Sequence, residues 1–170
     1  MHSPDPVAAN FLAYAPTRLR LSQKEIARCC DRLTEAQLWH RSGDYENSIA
    51  NLLLHLAGNL RQWVLHGIDG QPDVRRRDDE FALNPSSTAA EARAHFDATL
   101  EDSARVIAAL NPARLLITID PQPTGTWRNP TILEAIFKVT GHVEHHTGQI
   151  ILLTKQLTAA DLDRSMPRPR

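Results

Sequence analysis

TILEAIFKVTGHVEHHTGQI, residues 131–150, carries apolar side chains at Ile132, Ala135, Ile136, Val139, Val143 and Ile150. Steps of three and four residues put them on one face of an α-helix. With Asn129-Pro130-Thr131 as a start signal, the spacing predicts a helix over 131–157 whose stripe continues through Leu153. His142 and His146 fall inside that stripe, four residues apart. Positions i and i+4 lie on one helix face, so two imidazoles can reach one cation. His145 could pair with His142 at i, i+3, but it lies about 100° round the helix from His146 and leaves the stripe. It is assigned to the bundle edge or an interface. Glu144 lies about 200° from His142, on the far side. The run His142-Val143-Glu144-His145-His146 is therefore not the H-E-x-x-H motif, in which the glutamate directly follows the first histidine and serves as a base.

Three further segments upstream show helical periodicity. The first spans 6–33, with Phe11, Leu12, Leu19, Ile26 and Cys30 as core positions. Pro16 lies within it, so a kink or a late start is expected. Thr34-Glu35-Ala36-Gln37 reads as a capping box opening one turn, with Leu38 and Trp39 packing down. The second long helix is capped by Asn47 or Ser48 and runs to His66, where Gly67 ends it. Ile49, Leu52, Leu53, Leu56, Leu60, Trp63 and Val64 form its apolar face. His55 and Asn59 lie on the same side, and Gly58 would admit a neighbouring helix. The third is capped by Ser87 or Thr88 and ends at Asn111-Pro112. Residues 115–119 form a short β-prone run, and Pro121, Pro123 and Gly125 break structure after it. Four amphipathic helices with little strand indicate an all-α chain built as a four-helix bundle.

At 170 residues the chain fits a single domain, here 1–170 with a core over 5–157 and a tail over 158–170. The tail's basic, proline-rich end is read as frayed. A net charge of -1 gives no general pull toward nucleic acid or an anionic membrane. Apolar runs are too short to span a bilayer, and no signal peptide is visible. The only cysteines, Cys29 and Cys30, are adjacent and give no disulfide framework, which suits a cytoplasmic location. Residues 67–87 form a loop of about 20 residues, long enough to suggest function. It contains Arg75-Arg76-Arg77-Asp78-Asp79-Glu80-Phe81. This run is either a solvated charged loop or one in which Asp79 or Glu80 pairs with an arginine and folds over the site.

A lone histidine on an apolar face is commonly a hydrogen-bonded core residue. Three of them, on two separate helices, favour metal binding: His55, His142 and His146. His2, His40, His66 and His95 are read as surface residues. Three neutral imidazoles leave a divalent ion with open positions, and they suit Zn, Ni or Fe without choosing among them. Such a centre supplies Lewis acidity, which can acidify water or stabilise a thiolate. The chain contains no Glu-x-x-His, which removes a di-iron reading. Asn59 and Gln149 are candidates for supporting the ligands or touching substrate.

Asn51-x-x-x-His55-Leu56-x-Gly58-Asn59-x-x-x-Trp63, together with His142-x-x-x-His146-x-Gly148-Gln149-Ile150, resembles the DinB/YfiT-like superfamily. The charged loop at 75–81 is similar to that of a bacterial branch whose function is not established. The usual second motif is H-x-x-x-H-R-G-Q, and Thr147 stands here in place of the arginine. The resemblance covers about residues 5–157. It implies an up-down-down-up bundle with a long crossover between the second and third helices, and a homodimer. It also implies a divalent metal on His55, His142 and His146. The activity implied is that of a thiol-dependent transferase or isomerase using a low-molecular-weight thiol. Taken with the open metal site, the expected function is that of a metal-dependent enzyme, a thiol-dependent S-transferase or a hydrolase of a small substrate. The alternative is a non-catalytic metal-binding or dimerisation bundle.

Overall fold

The computed structural model describes residues 5–83, 86–119 and 129–162. Among the described residues there are five α-helices: α1 (Pro6–Cys30), α2 (Glu35–Leu38), α3 (Ile49–Leu60), α4 (Ala89–Ala108) and α5 (Ile132–Thr158). No strand occurs among the described residues, which agrees with an all-α chain.

Local sequence explains where the helices start. Thr34 with Gln37, Ser48 with Asn51, Thr88 with Glu91 and Thr131 with Glu134 each form a capping box. Each box satisfies donors that the first helical turn leaves open, and one such cap contributes about 1 kcal/mol. The β-prone run at 115–119 serves the same end. It makes one β-bridge, Thr118 to Thr131. The Ile132 and Leu133 N–H groups donate to the Ile117 and Leu115 carbonyls, both at 2.9 Å. A segment read as strand-like is thus spent on closing the start of α5.

One expectation about helix ends is corrected, and another is met with a change of winding. α1 begins at Pro6 under an Asp5 cap and runs unbroken across the buried Pro16, so there is no late start. α3 does continue to His66, but as a π-helix over Arg61–His66. Gly67 is right-handed at φ -67°, and the positive-φ residue is Gly70 at +79°. Gly67 caps this segment as expected, and the wide turn draws its N–H to the Gln62 carbonyl at 3.0 Å.

Side-chain pairs give the direction of each packed helix. Arg18 meets Glu144, and Arg28 meets the Leu162 carbonyl, so α1 and α5 run the same way. Arg20 meets Glu101 and Asp31 meets Arg93, so α1 and α4 run oppositely. His55 meets His142 while Trp63 meets Lys138, so α3 and α5 also run oppositely. The shared core holds Leu19, Leu53, Leu56, Phe96, Leu100, Ile136 and Val143, all fully buried. Leu12, Ile26 and Cys30 are buried as expected, whereas Phe11 is only half-buried at the core margin.

The basic end of the tail, from residue 163, lies outside the described residues, as does His2. Residues just before it are not frayed: Leu162 is buried and its carbonyl accepts from Arg28 at 2.9 Å. No helix among the described residues is long and apolar enough to cross a membrane.

Cys29 and Cys30 are buried in α1. Burial pushes the Cys30 thiol up to about 11. A thiolate is the reactive form, so this one is suppressed at neutral pH. Folded protein treated with iodoacetamide at pH 8 is expected to stay unlabelled, and both thiols should react once urea unfolds it. Mass spectrometry of the alkylated chain checks this, and rapid labelling of the folded protein would contradict the packing.

Candidate metal centre

α5 presents His142 and His146 one turn apart, and α3 brings His55 against them. The His55 and His142 Nε2 atoms are 3.1 Å apart, and those of His142 and His146 are 3.0 Å apart. One ligand atom from each of the three lies within 4.8 Å of the others. The rings stand edge-on to one another, with interplanar angles of 76°, 84° and 90°. Three lone pairs are thereby aimed at one small volume.

The donor chemistry was tested against an ion. Zinc–nitrogen bonds of about 2.05 Å in tetrahedral geometry separate the nitrogens by about 3.4 Å. The two observed separations are a few tenths of an ångström shorter, so a slight spreading of the rings admits the ion. The residues fit a divalent metal.

The protonation pattern fits as well. Burial, then the neighbouring His146 and His55, pushes the His142 imidazole down to about 3. Burial also lowers His146, partly offset by Gln149. Both are neutral at pH 7, as ligands must be. The His55 Nδ1–H donates to the Glu80 carboxylate at 2.9 Å, and the His146 Nδ1–H donates to the Gln149 amide oxygen at 2.5 Å. These bonds hold the proton on Nδ1 and leave Nε2 free to coordinate.

His142 is the exception. Its Nδ1 is buried without a partner among the described residues, and so is the Asn59 Oδ1. The register between α3 and α5 places them together. His55 sits opposite His142 and His146, and Trp63 lies under Lys138 at 3.7 Å, so Asn59 falls midway at the level of His142. A donor and an acceptor, each lacking a partner, occupy the same stretch of the seam. A single buried water could serve both.

The charged run at 75–81 exposes Arg76 to Asp79 but turns Arg75 and Glu80 inward. It closes on the site through a 3₁₀ turn, Arg77–Phe81. Glu80 is buried, and Asp79, the other candidate, is exposed. Arg75 Nε and Nη2 donate to the two Glu80 carboxylate oxygens at 2.7 and 2.8 Å, and Arg75 Nη1 donates to Gln62 Oε1 at 2.8 Å. Burial pushes the Glu80 carboxyl up, but the bonds from Arg75 and His55 outweigh it and hold the group below the usual carboxylate range. The turn's backbone is tied down too. Asn51 Nδ2 donates to the Glu80 carbonyl at 2.9 Å, and Arg41 Nη2 donates to the Phe81 and Ala82 carbonyls at 3.0 and 2.9 Å. Phe81 then packs on the His55 ring, centroids 4.9 Å apart.

Gly58 explains how this carboxylate fits. A Cβ there would stand 2.0 Å from Glu80 Oε1 and 3.0 Å from Arg75 Nε. The glycine admits a charged side chain of the crossover, where a neighbouring helix was expected. The sequence reading had Glu80 only as a partner for an arginine. Its bond to His55 carries no local signal, because the two residues are 25 positions apart. Gln62 and Arg41 were missed for the same reason.

Outside the cluster, Glu144 pairs with Arg18, which agrees with its removal from the site. His145 is exposed and touches only the edge of the His146 ring, 5.3 Å between centroids. His40 and His95 are exposed as expected. His66 is half-buried and not a surface residue, since its Nδ1–H donates to the Gln71 carbonyl at 2.6 Å.

A family described as "Protein of unknown function (DUF1572)" matches residues 6–170. The chain belongs to the DUF1572 family. The match covers all five helices and every residue of the histidine cluster, so this DUF1572 member carries its candidate site within the family's extent. No curated protein matches the chain.

In the metal-free protein, ¹⁵N NMR should find His55 in the Nδ1–H tautomer. Glu80→Ala is expected to convert it to a tautomer mixture; an unchanged spectrum would remove the orienting role. Gly58→Ala should destabilise the fold by about 1–3 kcal/mol through overpacking. An unchanged urea midpoint would show that Glu80 can move aside freely.

Proposed function

We propose that this chain is a metal-dependent enzyme whose divalent ion is held by His55, His142 and His146, with Gln149 and Asn59 supporting the ligands. The observation that carries the reading is the convergence of three Nε2 atoms, two of whose rings have their Nδ1 protons engaged elsewhere. A core histidine without a ligand role has no reason to turn its acceptor nitrogen toward two others. An ion held there would supply Lewis acidity at positions that no protein ligand fills.

The fold is read as an up-down-down-up bundle of the DinB-like type, one domain over 1–170. The residue pairs that set helix directions support it, as does the crossover between α3 and α4. A homodimer fits the apolar residues left in the open on the adjacent, co-directional α1 and α5, among them Tyr14, Leu21, Phe137 and Leu152.

The chain's own groups bind, orient and exclude. Glu80 is committed to Arg75 and His55, and Glu144 to Arg18, so neither of these carboxylates is free to act as a base. Cys29 and Cys30 lie buried in α1 and contribute no nucleophile. The reaction is therefore read as one in which the nucleophile arrives from outside. A low-molecular-weight thiol makes the chain an S-transferase, and water makes it a hydrolase of a small substrate.

Elemental analysis should find about one divalent ion per chain in wild type. His146→Ala should reduce that content sharply, and Glu80→Gln should weaken metal affinity by about 10- to 100-fold while the fold persists. Equal, near-zero metal in wild type and His146→Ala would overturn the reading. Turnover of a panel of electrophiles, with and without added thiol, separates the two reactions. A loaded protein inert to the whole panel would favour a non-catalytic metal-binding bundle.

A further inference from the structure

The histidine cluster lies part-way along the seam between the antiparallel α3 and α5, and the seam differs on its two sides. Toward the C-terminal end of α3 it is shut. Trp63 is 1% exposed and Lys138 lies over its ring. The crossover closes a further side through Phe81 and Glu80 against His55. In the other direction the seam opens. One and two turns before His55 come Leu52 and Ile49; one to three turns after His146 come Gln149, Leu153 and Leu157. These line a groove of about 610 Å³ whose third wall is the segment 40–47, with Glu46 among its polar rim. That volume is in the range of small-molecule sites.

Gln149 joins the groove to the histidines. The histidines do not themselves line the groove, but Gln149 does, and with its amide oxygen taken by His146 its NH₂ is left as a donor where the two adjoin. Imidazole ligands add no negative charge beside the ion, and the Glu80 charge is matched by Arg75, while Glu46 stands at the outer rim of the groove. A divalent cation on three such ligands keeps its full charge and draws an anionic head. Beyond the head, Ile49, Leu52, Leu153 and Leu157 give the groove an aliphatic stretch, with Gln156 among the polar residues at its edge. At 1.5 Å per residue, α5 covers about 12 Å from Gln149 to Leu157, room for an alkyl chain of about eight carbons.

We propose that this groove is the substrate site, and that it takes an amphiphile with a single anionic, metal-binding head at the histidines and an aliphatic body along Leu52 and Leu153. The inference rests on the metal reading above and adds the substrate class and its place.

The test uses alkyl hydroxamates on the Co²⁺-loaded full chain, followed by the Co²⁺ absorption spectrum. Affinity is expected to rise about two- to fourfold per methylene from acetohydroxamate to octanohydroxamate. Leu153→Trp, which fills the groove, should flatten that dependence and leave acetohydroxamate binding within about twofold, because the short probe has no alkyl chain to reach that wall. If that variant loses the Co²⁺ spectrum, Leu157→Trp replaces it. Equal affinities for short and long hydroxamates on a protein that shows the Co²⁺ spectrum would overturn the groove and leave the metal site standing. An undiminished length dependence in a correctly loaded tryptophan variant would also overturn it. Absence of any Co²⁺ spectrum in wild type would overturn the metal reading, and this proposal with it.

Discussion

A buried carboxylate is costly unless its charge is matched and its oxygens are bonded. Glu80 meets both conditions by taking two bonds from Arg75 and one from His55. Much of the site follows from that requirement. Arg75 must be brought inward, so the crossover folds back over α3. Gln62 must accept from Arg75, which engages the π-helical end of α3. Gly58 must lack a side chain. His55 must carry its proton on Nδ1, which turns Nε2 toward α5. A buried ion pair of this kind is weak evidence for stability. Its effect here is positional: it sets the orientation of one imidazole.

The helical framework was legible because it is written locally. Apolar residues at steps of three and four marked each long helix, and Ser48, Thr88 and Thr131 stand at starts that their side chains cap. His142 and His146 could be paired from a single turn of α5, and His55 could be added because it sits on a buried face. What could not be read depends on residues distant in the chain. For the run at 75–81 the sequence left two readings open, a solvated loop or an arginine pair with Asp79 or Glu80 folded over the site, since nothing nearby reveals that Gln62 and His55 wait for Arg75 and Glu80. Gly67 was legible as the helix stop, but nothing local shows that the last turn before it winds as a π-helix. The β-prone character of 115–119 was real, but its hydrogen bonds go to the start of a helix.

The three imidazoles are supported unequally. His55 has a carboxylate behind it and His146 a neutral amide, while His142 has neither. A carboxylate raises the basicity of the ring it orients more than an amide does. The donors around a shared ion would therefore differ in strength, His55 being the strongest. The asymmetry also has a direction, because the anchored side faces the crossover and the amide side faces the groove.

The π turn at Arg61–His66 holds one more residue per turn than the helix that precedes it. Such a turn is what an α-helix becomes when a residue is inserted and neither end can rotate. Upstream, the histidine-bearing face is fixed by packing; downstream, the chain must still deliver Arg75 to Gln62. Loss of one residue from this segment would restore ordinary winding and swing everything after it by about 100°. Length variation in relatives is thus expected to avoid this turn and to gather in the crossover beyond Gly70, where an added residue lengthens a connection without changing any angle.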